Sequence, residues 1–248
     1  MNAGIIVAAG KGERYGSYKQ TEILINKKVY QYSLDVFNIV DLIESVYLVV
    51  AEEIYSSIEE DLQSYQNNKP IFLCRGGDTR AQSVYNAIKS ISFATRGVPR
   101  DLNVYDKVCI HDAVRPLIQK ADIENVLLNC IENGGCIVGD EINETLKKTN
   151  DNKVVETINR ANMWLSQTPQ AFCLKTLKNC YDKDFEHFTD EANLLESNGY
   201  SIQVISSVNK NIKITEKKDL ELVKQLLSIE REKETLSVIL NQLSGLNE

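Results

Sequence analysis

Gly4-Ile5-Ile6-Val7-Ala8-Ala9 runs directly into Gly10-Lys11-Gly12-Glu13-Arg14-Tyr15-Gly16, and Lys19 follows shortly after. An uninterrupted apolar run of this length is the pattern of a strand buried on both faces, as in a parallel sheet. Ending it in small residues and glycines lets backbone N–H groups approach a phosphate closely, and Arg14 and Lys19 add positive charge beside them. The stretch is therefore a candidate nucleotide-phosphate loop. A tight strand-to-helix turn without a ligand stays open. A Walker A loop is excluded, because no Gly-Lys-Ser/Thr ending is present, and the spacing of Gly10, Gly12 and Gly16 misses the dinucleotide fingerprint by one residue.

Further short β-branched runs follow at Ser45–Val50, Pro70–Cys74, Lys107–Ile110, Cys136–Val138 and Ser201–Val204. Between them lie amphipathic patterns at Tyr30–Val40, Glu52–Tyr65, Arg80–Ile91, Lys120–Glu132 and Glu191–Ser197. Alternation of this kind predicts an α/β fold with a mainly parallel, doubly wound sheet. Val138–Asn159 breaks the rhythm with two polar strand-like halves around Thr149-Asn150-Asp151-Asn152. So little apolar surface cannot stabilise a lone hairpin, which suggests an arm that clasps a second subunit, with a solvent-exposed insertion as the alternative. Lys217–Leu243 is one long helical pattern with a wholly charged centre at Glu230–Glu234, expected as two helices or one with a solvated middle. The expected organisation is one domain over residues 1–227, including an arm at about residues 138–160, and a helical extension over 228–248.

The 248 residues carry a formal charge of −7, which argues against broad binding to nucleic acid or an anionic membrane and requires any anionic ligand to meet a local cluster of cations. Six cysteines without a Cys-x-x-Cys pair read as reduced thiols in a cytoplasmic protein, and neither His111 nor His187 stands at a zinc-like spacing from them. The N-terminal apolar run is too short for a membrane span and lacks the pattern of a signal peptide.

Several other segments carry chemistry. Gly76-Gly77-Asp78-Thr79-Arg80-Ala81-Gln82-Ser83 follows a strand, and its glycines, Asp78 and Ser83 offer groups suited to reading a base edge. Ile110-His111-Asp112-Ala113-Val114-Arg115-Pro116 puts Asp112 at a strand's carboxyl end, where a carboxylate can hold Mg²⁺ between phosphates. Asn159-Arg160, Gln167-Thr168-Pro169-Gln170, Thr189-Asp190-Glu191-Ala192 and Asn211-Ile212-Lys213-Ile214-Thr215 complete the set. Each has a plainer reading: Arg115-Pro116 as a strand end, Thr189 as an N-cap, Lys213 as a solvated strand residue, His111 as a satisfied buried histidine.

In this order the segments resemble the 2-C-methyl-D-erythritol 4-phosphate cytidylyltransferase family, with its close relatives the ribitol-5-phosphate cytidylyltransferases, over roughly Met1 to Leu227. The resemblance implies a Rossmann-like nucleotidyltransferase fold and a homodimer built by the arm. It implies CMP transfer from CTP to a polyol phosphate with Mg²⁺ and release of pyrophosphate. Under it Ala8, Ala9, Gly10 and Gly12 line the triphosphate loop, and Gly77, Asp78 and Ser83 recognise cytosine. Arg14, Lys19, Lys213 and Arg160 form the catalytic set, with Arg160 supplied by the neighbouring subunit. Asp112, Arg160, Thr168 and Thr189 hold the polyol phosphate, and Asp112 is the carboxylate associated with the metal. Trp164–Gln170 and Thr189–Ala192 look closer to the methylerythritol branch; ribitol 5-phosphate or another envelope polyol phosphate is the alternative acceptor, and a nucleotide-binding regulator without turnover the distant one. The chain departs from the pattern at Tyr18, which stands in place of a usual proline, and the Arg14–Lys19 loop is shorter than usual.

Overall fold

The structure is a computed structural model that describes residues 1–94, 106–183, 185 and 187–244. Its strands are β1 (Asn2–Ala8), β2 (Ile23–Leu24), β3 (Lys27–Lys28), β4 (Ser45–Val50), β5 (Ile71–Arg75), β6 (Lys107–Asp112), β7 (Gly135–Glu141), β8 (Leu146–Asn150), β9 (Lys153–Ile158), β10 (Trp164–Cys173) and β11 (Ile202–Ser206). Its helices are α1 (Val29–Ile39), α2 (Tyr55–Gln63), α3 (Arg80–Ala94), α4 (Lys120–Leu128), α5 (Leu174–Tyr181), α6 (Glu191–Ser197) and α7 (Lys217–Ser244).

Seven strands form one sheet in the order β11-β7-β10-β6-β1-β4-β5. Neighbours pair in parallel except β10, which runs antiparallel to both β6 and β7. Alternate side chains of the central strands enter opposite cores. Ile6, Leu48 and Val50 join Leu34 and Phe37 of α1 on one face, whereas Ile5, Tyr47 and Val49 join Val84 and Ile88 of α3 on the other. This double covering explains why the central strands read as continuous apolar runs. A third cluster, containing Tyr15, Leu24, Val114, Ile214, Leu220 and Val223, seats the glycine loop against the start of α7.

The expected strands and helices are present, Ser45–Val50 and Glu191–Ser197 to their ends and the others with shifted ends, while β10, α5 and the short β2–β3 pair escaped the pattern. β10 contains Pro169, a residue that argues against an interior strand; here it falls where the pairing register shifts between Ser166 and Gln170. α5 begins directly at the end of β10, with no capping side chain to announce it. Asn211–Thr215, where Lys213 has the plainer reading of a solvated strand residue, joins no strand; Ile214 instead donates its N–H to Val114 O at 2.8 Å. The arm hairpin forms from β8 and β9, and its turn centres on Asp151 and Asn152, both at positive φ, one step later than the four residues expected. α7 is a single helix, so the expected boundary at 227/228 falls inside it; residues 245–248 and the side chains of Ile239, Leu240 and Leu243 lie outside the described set.

Gly4 permits a close contact between β1 and α1, since a Cβ there would stand 2.5 Å from the Phe37 ring. Gly4→Ala is expected to cost about 1–3 kcal/mol in urea unfolding through overpacking. The same substitution made in a Phe37→Leu background should cost less; equal costs in both would show that the ring is not what Gly4 accommodates.

Candidate functional site

The chain moves from β1 outward to β4 and β5, then returns to lay β6 on the other side of β1. The carboxyl ends of β1 and β6 are thus a topological switch point, where open α/β sheets bind ligands. The glycine loop leaves β1 at this edge. Gly12 takes φ +65, and its carbonyl accepts the N–H groups of both Tyr15 and Gly16 at 2.8 Å. A Cβ on Gly12 would sit 2.1 Å from Ser17 O, so the turn needs glycine for space as well as for conformation. Buried Gln20 donates its amide to Ala8 O at 2.7 Å and Gly10 O at 3.0 Å, fixing both carbonyls of the loop entrance.

A second loop, residues 76–79, rises from β5 and leads into α3. Gly76 lies against Ala9 so tightly that a Cβ would come within 2.4 Å of the alanine methyl. Ser83 is only 1% exposed; its Oγ accepts the Gly77 N–H at 3.0 Å and donates to Thr79 O at 2.9 Å. That hydroxyl therefore shapes the loop that carries Gly77 and Asp78.

The two loops enclose a cavity of about 370 Å³. Of the residues singled out in the sequence, Ala8, Ala9, Gly10, Gly12, Arg14, Lys19, Gly77, Asp78, Ser83, Asp112 and Lys213 line it. Asp112 sits at its floor, with Arg80 Nε 3.2 Å from Oδ1, Lys213 Nζ 2.7 Å from Oδ2 and Arg115 Nε at 4.0 Å. Burial alone would raise the Asp112 pKa, but Arg80, Lys213 and Arg115 hold it well below the usual carboxylate range. Lys19 is lowered from its ordinary value by burial and then by the charges of Lys213 and Arg14. Cations thus crowd one another in a cavity whose floor carboxylate is already paired, an arrangement that a polyanion relieves.

Behind the floor lies a buried polar chain. The Asp112 N–H donates to Thr168 Oγ1 at 3.0 Å, the same hydroxyl lies 3.1 Å from His111 Nδ1, and His111 Nε2 lies 3.2 Å from Arg115 O. This pattern fits a neutral imidazole with its proton on Nε2. Burial pushes the His111 pKa down to about 3, against the smaller raising effect of Asp112. Asn211 donates to Thr168 O at 2.6 Å while its own carbonyl accepts from Arg115 Nη1 at 2.7 Å.

Thr168 is 4% exposed and does not line the cavity; its hydroxyl is engaged with Asp112 and His111. Arg160 is exposed on the arm, where Nη1 donates to Asn143 O, and it too stands outside the cavity lining. Thr189 is exposed and is not an N-cap: Asp190 caps α6 by accepting the Asn193 N–H at 2.9 Å. Two residues that sequence reasoning passed over belong here. Gln20 directly follows Lys19, and Arg80 stands two residues after Asp78, so the neighbouring site residues are the signal that could have found each.

Among the described residues no group of three or more His, Cys, Asp or Glu side chains could hold a metal. Asp112 supplies one carboxylate at the cavity floor, a donor set that fits Mg²⁺ only with substrate oxygens and water completing its shell. No helix among the described residues is long and apolar enough to cross a membrane.

Residues 3–228 match the family model described as 2-C-methyl-D-erythritol 4-phosphate cytidylyltransferase. The chain is 36% identical over 234 residues to the protein of that name from Dictyoglomus thermophilum, covering 91% of this chain and 96% of the relative. It is 34% identical over 238 residues to the one from Aquifex aeolicus, covering 94% and 100%. The solved structure of the Francisella tularensis enzyme of the same name superposes with a TM-score of 0.72 at 31% identity, over 90% of this chain and 98% of that one. A 4-diphosphocytidyl-2C-methyl-D-erythritol synthase from Anaerococcus prevotii gives 0.75 at 26% identity, over 92% and 98%.

The His111 environment fixes the sign of a pH effect. The unfolded imidazole takes up its proton near pH 6.5 and the folded one only near 3, so between these values the unfolded state binds more protons. Its contribution to stability is complete above about pH 6.5 and lost progressively as the pH falls toward 3, at up to about 1.4 kcal/mol per unit. Urea unfolding at pH 7, 6 and 5, alongside an NMR titration of the imidazole, checks this; a His111 that titrates near 6 in the native protein contradicts it.

Proposed function

The chain belongs to the 2-C-methyl-D-erythritol 4-phosphate cytidylyltransferase family, and from that membership we propose how its residues carry the reaction. The enzyme transfers the cytidylyl group of CTP to 2-C-methyl-D-erythritol 4-phosphate in isoprenoid precursor synthesis by the non-mevalonate pathway. A phosphate oxygen of the acceptor attacks the α-phosphorus of CTP, the bond from that phosphorus to the bridging oxygen breaks, and pyrophosphate leaves.

The reaction brings two anions together and concentrates charge on the transferring group, so positioning and fixed positive charge are its main requirements. The observation that carries the assignment is the convergence of Arg14, Lys19 and Lys213 on one cavity beside a glycine-built loop. In our reading the N–H groups of the Ala8–Gly12 loop receive the triphosphate, with Arg14 and Lys19 over it. Gly77 and Asp78 read the cytosine edge, in a loop held by Ser83. Lys213 stands at the reacting phosphate, turned there by Asp112. Mg²⁺, held by Asp112 and substrate oxygens, would offset charge between the phosphates.

The phosphorylated polyol falls to Asp112, Thr189 and Arg160. Thr168 serves it indirectly, by fixing the Asp112 backbone. Because Arg160 stands on an exposed arm that also bares Val154, Val155, Met163 and Leu165, we assign it to the cavity of a second copy in a homodimer. Residues 1–227 constitute the catalytic domain, the later turns of α7 from residue 228 to 244 extend beyond it, and the enzyme works in the cytoplasm.

Pyrophosphate release from CTP and Mg²⁺ is expected with 2-C-methyl-D-erythritol 4-phosphate and not with D-ribitol 5-phosphate; the reverse preference would move the enzyme to envelope polymers. Lys213→Ala should lower turnover by on the order of 10²-fold, and wild-type turnover in that variant would remove Lys213 from the reaction. Arg160→Ala should chiefly raise the KM for the acceptor. Mixing the Arg160→Ala and Lys213→Ala proteins should recover activity, since a mixed dimer contains one intact site; no recovery means that Arg160 does not act across subunits.

A further inference from the structure

Asp112 is fixed from a side of the site that the scheme above leaves unused. Arg80, the first residue of α3, reaches Asp112 Oδ1 with Nε at 3.2 Å, and its Nη1 donates to both oxygens of Glu191, at 2.9 and 2.8 Å. Glu191 opens α6, one residue past the Asp190 cap, and is 1% exposed. Its Oε1 also accepts from the hydroxyl of Tyr181, the last residue of α5, at 3.0 Å. The Tyr181 ring stacks on Tyr85 of α3 at 5.4 Å and meets Phe185 edge-on at 4.9 Å. The pairing therefore links the start of α3, just beyond the nucleotide loop, to the start of α6, just beyond the segment assigned to the acceptor.

We propose that Glu191 and Tyr181 are positioning residues for cytidylyl transfer: they hold Arg80 so that it locks the Asp112 carboxylate with Oδ2 toward Lys213. The proposal rests on the function stated above. A guanidinium is planar and rigid, so anchoring Nη1 on Glu191 also sets the direction in which Nε points. A carboxylate as enclosed as Glu191 persists only with its lone pairs answered, and Arg80 and Tyr181 supply three hydrogen bonds to it. Arg80 is not a remote structural ion pair, because it lines the cavity and touches the carboxylate on its floor. Its Nη2 has no hydrogen-bond partner among the described residues, so the guanidinium is held at Nη1 and Nε alone. Lys213, which shares Asp112 with it, is 40% exposed and takes its orientation from Oδ2. A rotation of the Asp112 carboxylate would carry Lys213 with it, and displacements of this kind near reacting atoms are costly to rate.

Glu191→Gln keeps the shape but removes the charge and sets an amide donor against Arg80. Turnover should fall by about tenfold or more while the KM for CTP stays within about twofold. Tyr181→Phe should produce a smaller fall in turnover, with the same split, and the double variant should be no slower than Glu191→Gln alone, because both act through Arg80. In ¹⁵N spectra, the Arg80 Nε–H signal should be slowly exchanging in the wild type and shifted and broadened in both variants. Wild-type turnover in Glu191→Gln, a loss confined to the KM for CTP, or an unchanged Arg80 signal overturns the proposal. Should Glu191→Gln fail to fold, Tyr181→Phe decides by the same measures. A wild type that releases no pyrophosphate with the methylerythritol acceptor would instead defeat the assigned function, and the Arg80 signal would still decide whether the clamp exists.

Discussion

Asp112 has a side chain only 9% exposed, and an ionised carboxylate can remain so enclosed only if cations and hydrogen-bond donors replace the water it has lost. Arg80, Lys213 and Arg115 approach it from α3, from the segment before α7 and from the turn after β6. Its backbone is tied to β10 through Thr168. Four separate parts of the chain must therefore come to one point before the charge is tolerable. The adjoining His111 remains neutral because burial outweighs the attraction of the Asp112 charge, and Arg115 disfavours a second cation beside it. The antiparallel strand in an otherwise parallel sheet belongs to this constraint, since β10 carries Thr168 and Gln170 to the edge of β6.

How much of this was legible depended on whether the cause was local. β4 was read to its ends because Ser45–Val50 is buried on both faces and declares itself as an apolar run. The glycine loop was legible because its close approaches demand residues without side chains, as at Gly12 and Gly76. β10 was not, because Gln167-Thr168-Pro169-Gln170 is polar and interrupted by proline, and only its neighbours' spare hydrogen bonds make a strand of it. Arg80 lay inside a segment already judged chemical, but its partners stand 32 and 111 residues away, beyond the reach of any spacing rule. The capping role moved from Thr189 to Asp190 on a matter of backbone phase that either side chain could have satisfied.

The departures near Lys19 acquire a physical account. The loop is short and has Tyr18 where its relatives were expected to carry proline, so a ring that fixes φ is absent. Its shape is instead imposed by contacts. Tyr15 is 6% exposed and joins the apolar cluster containing Ile214, Leu220 and Val223, and Gln20 ties the entrance through Ala8 O and Gly10 O. The first turns of α7 are thus a seat for the nucleotide loop, which gives the C-terminal helix a role in the site.

A chain with net charge −7 can still receive a triphosphate, because the quantity that matters is the local balance at the cavity and not the sum. Lys11, Arg14, Lys19, Arg80 and Lys213 line a space together with the carboxylates of Glu13, Asp78 and Asp112, and the last of these is shared between Arg80 and Lys213. Lys19 bears the consequence, with its pKa lowered by enclosure and by the two neighbouring cations. Folding sets these charges against one another before any ligand arrives. A polyanion entering the cavity removes that repulsion, and most strongly where negative charge accumulates during transfer. The buried pairs around Asp112 keep the cations from turning away from one another beforehand, which is the sense in which the fold prepares the site.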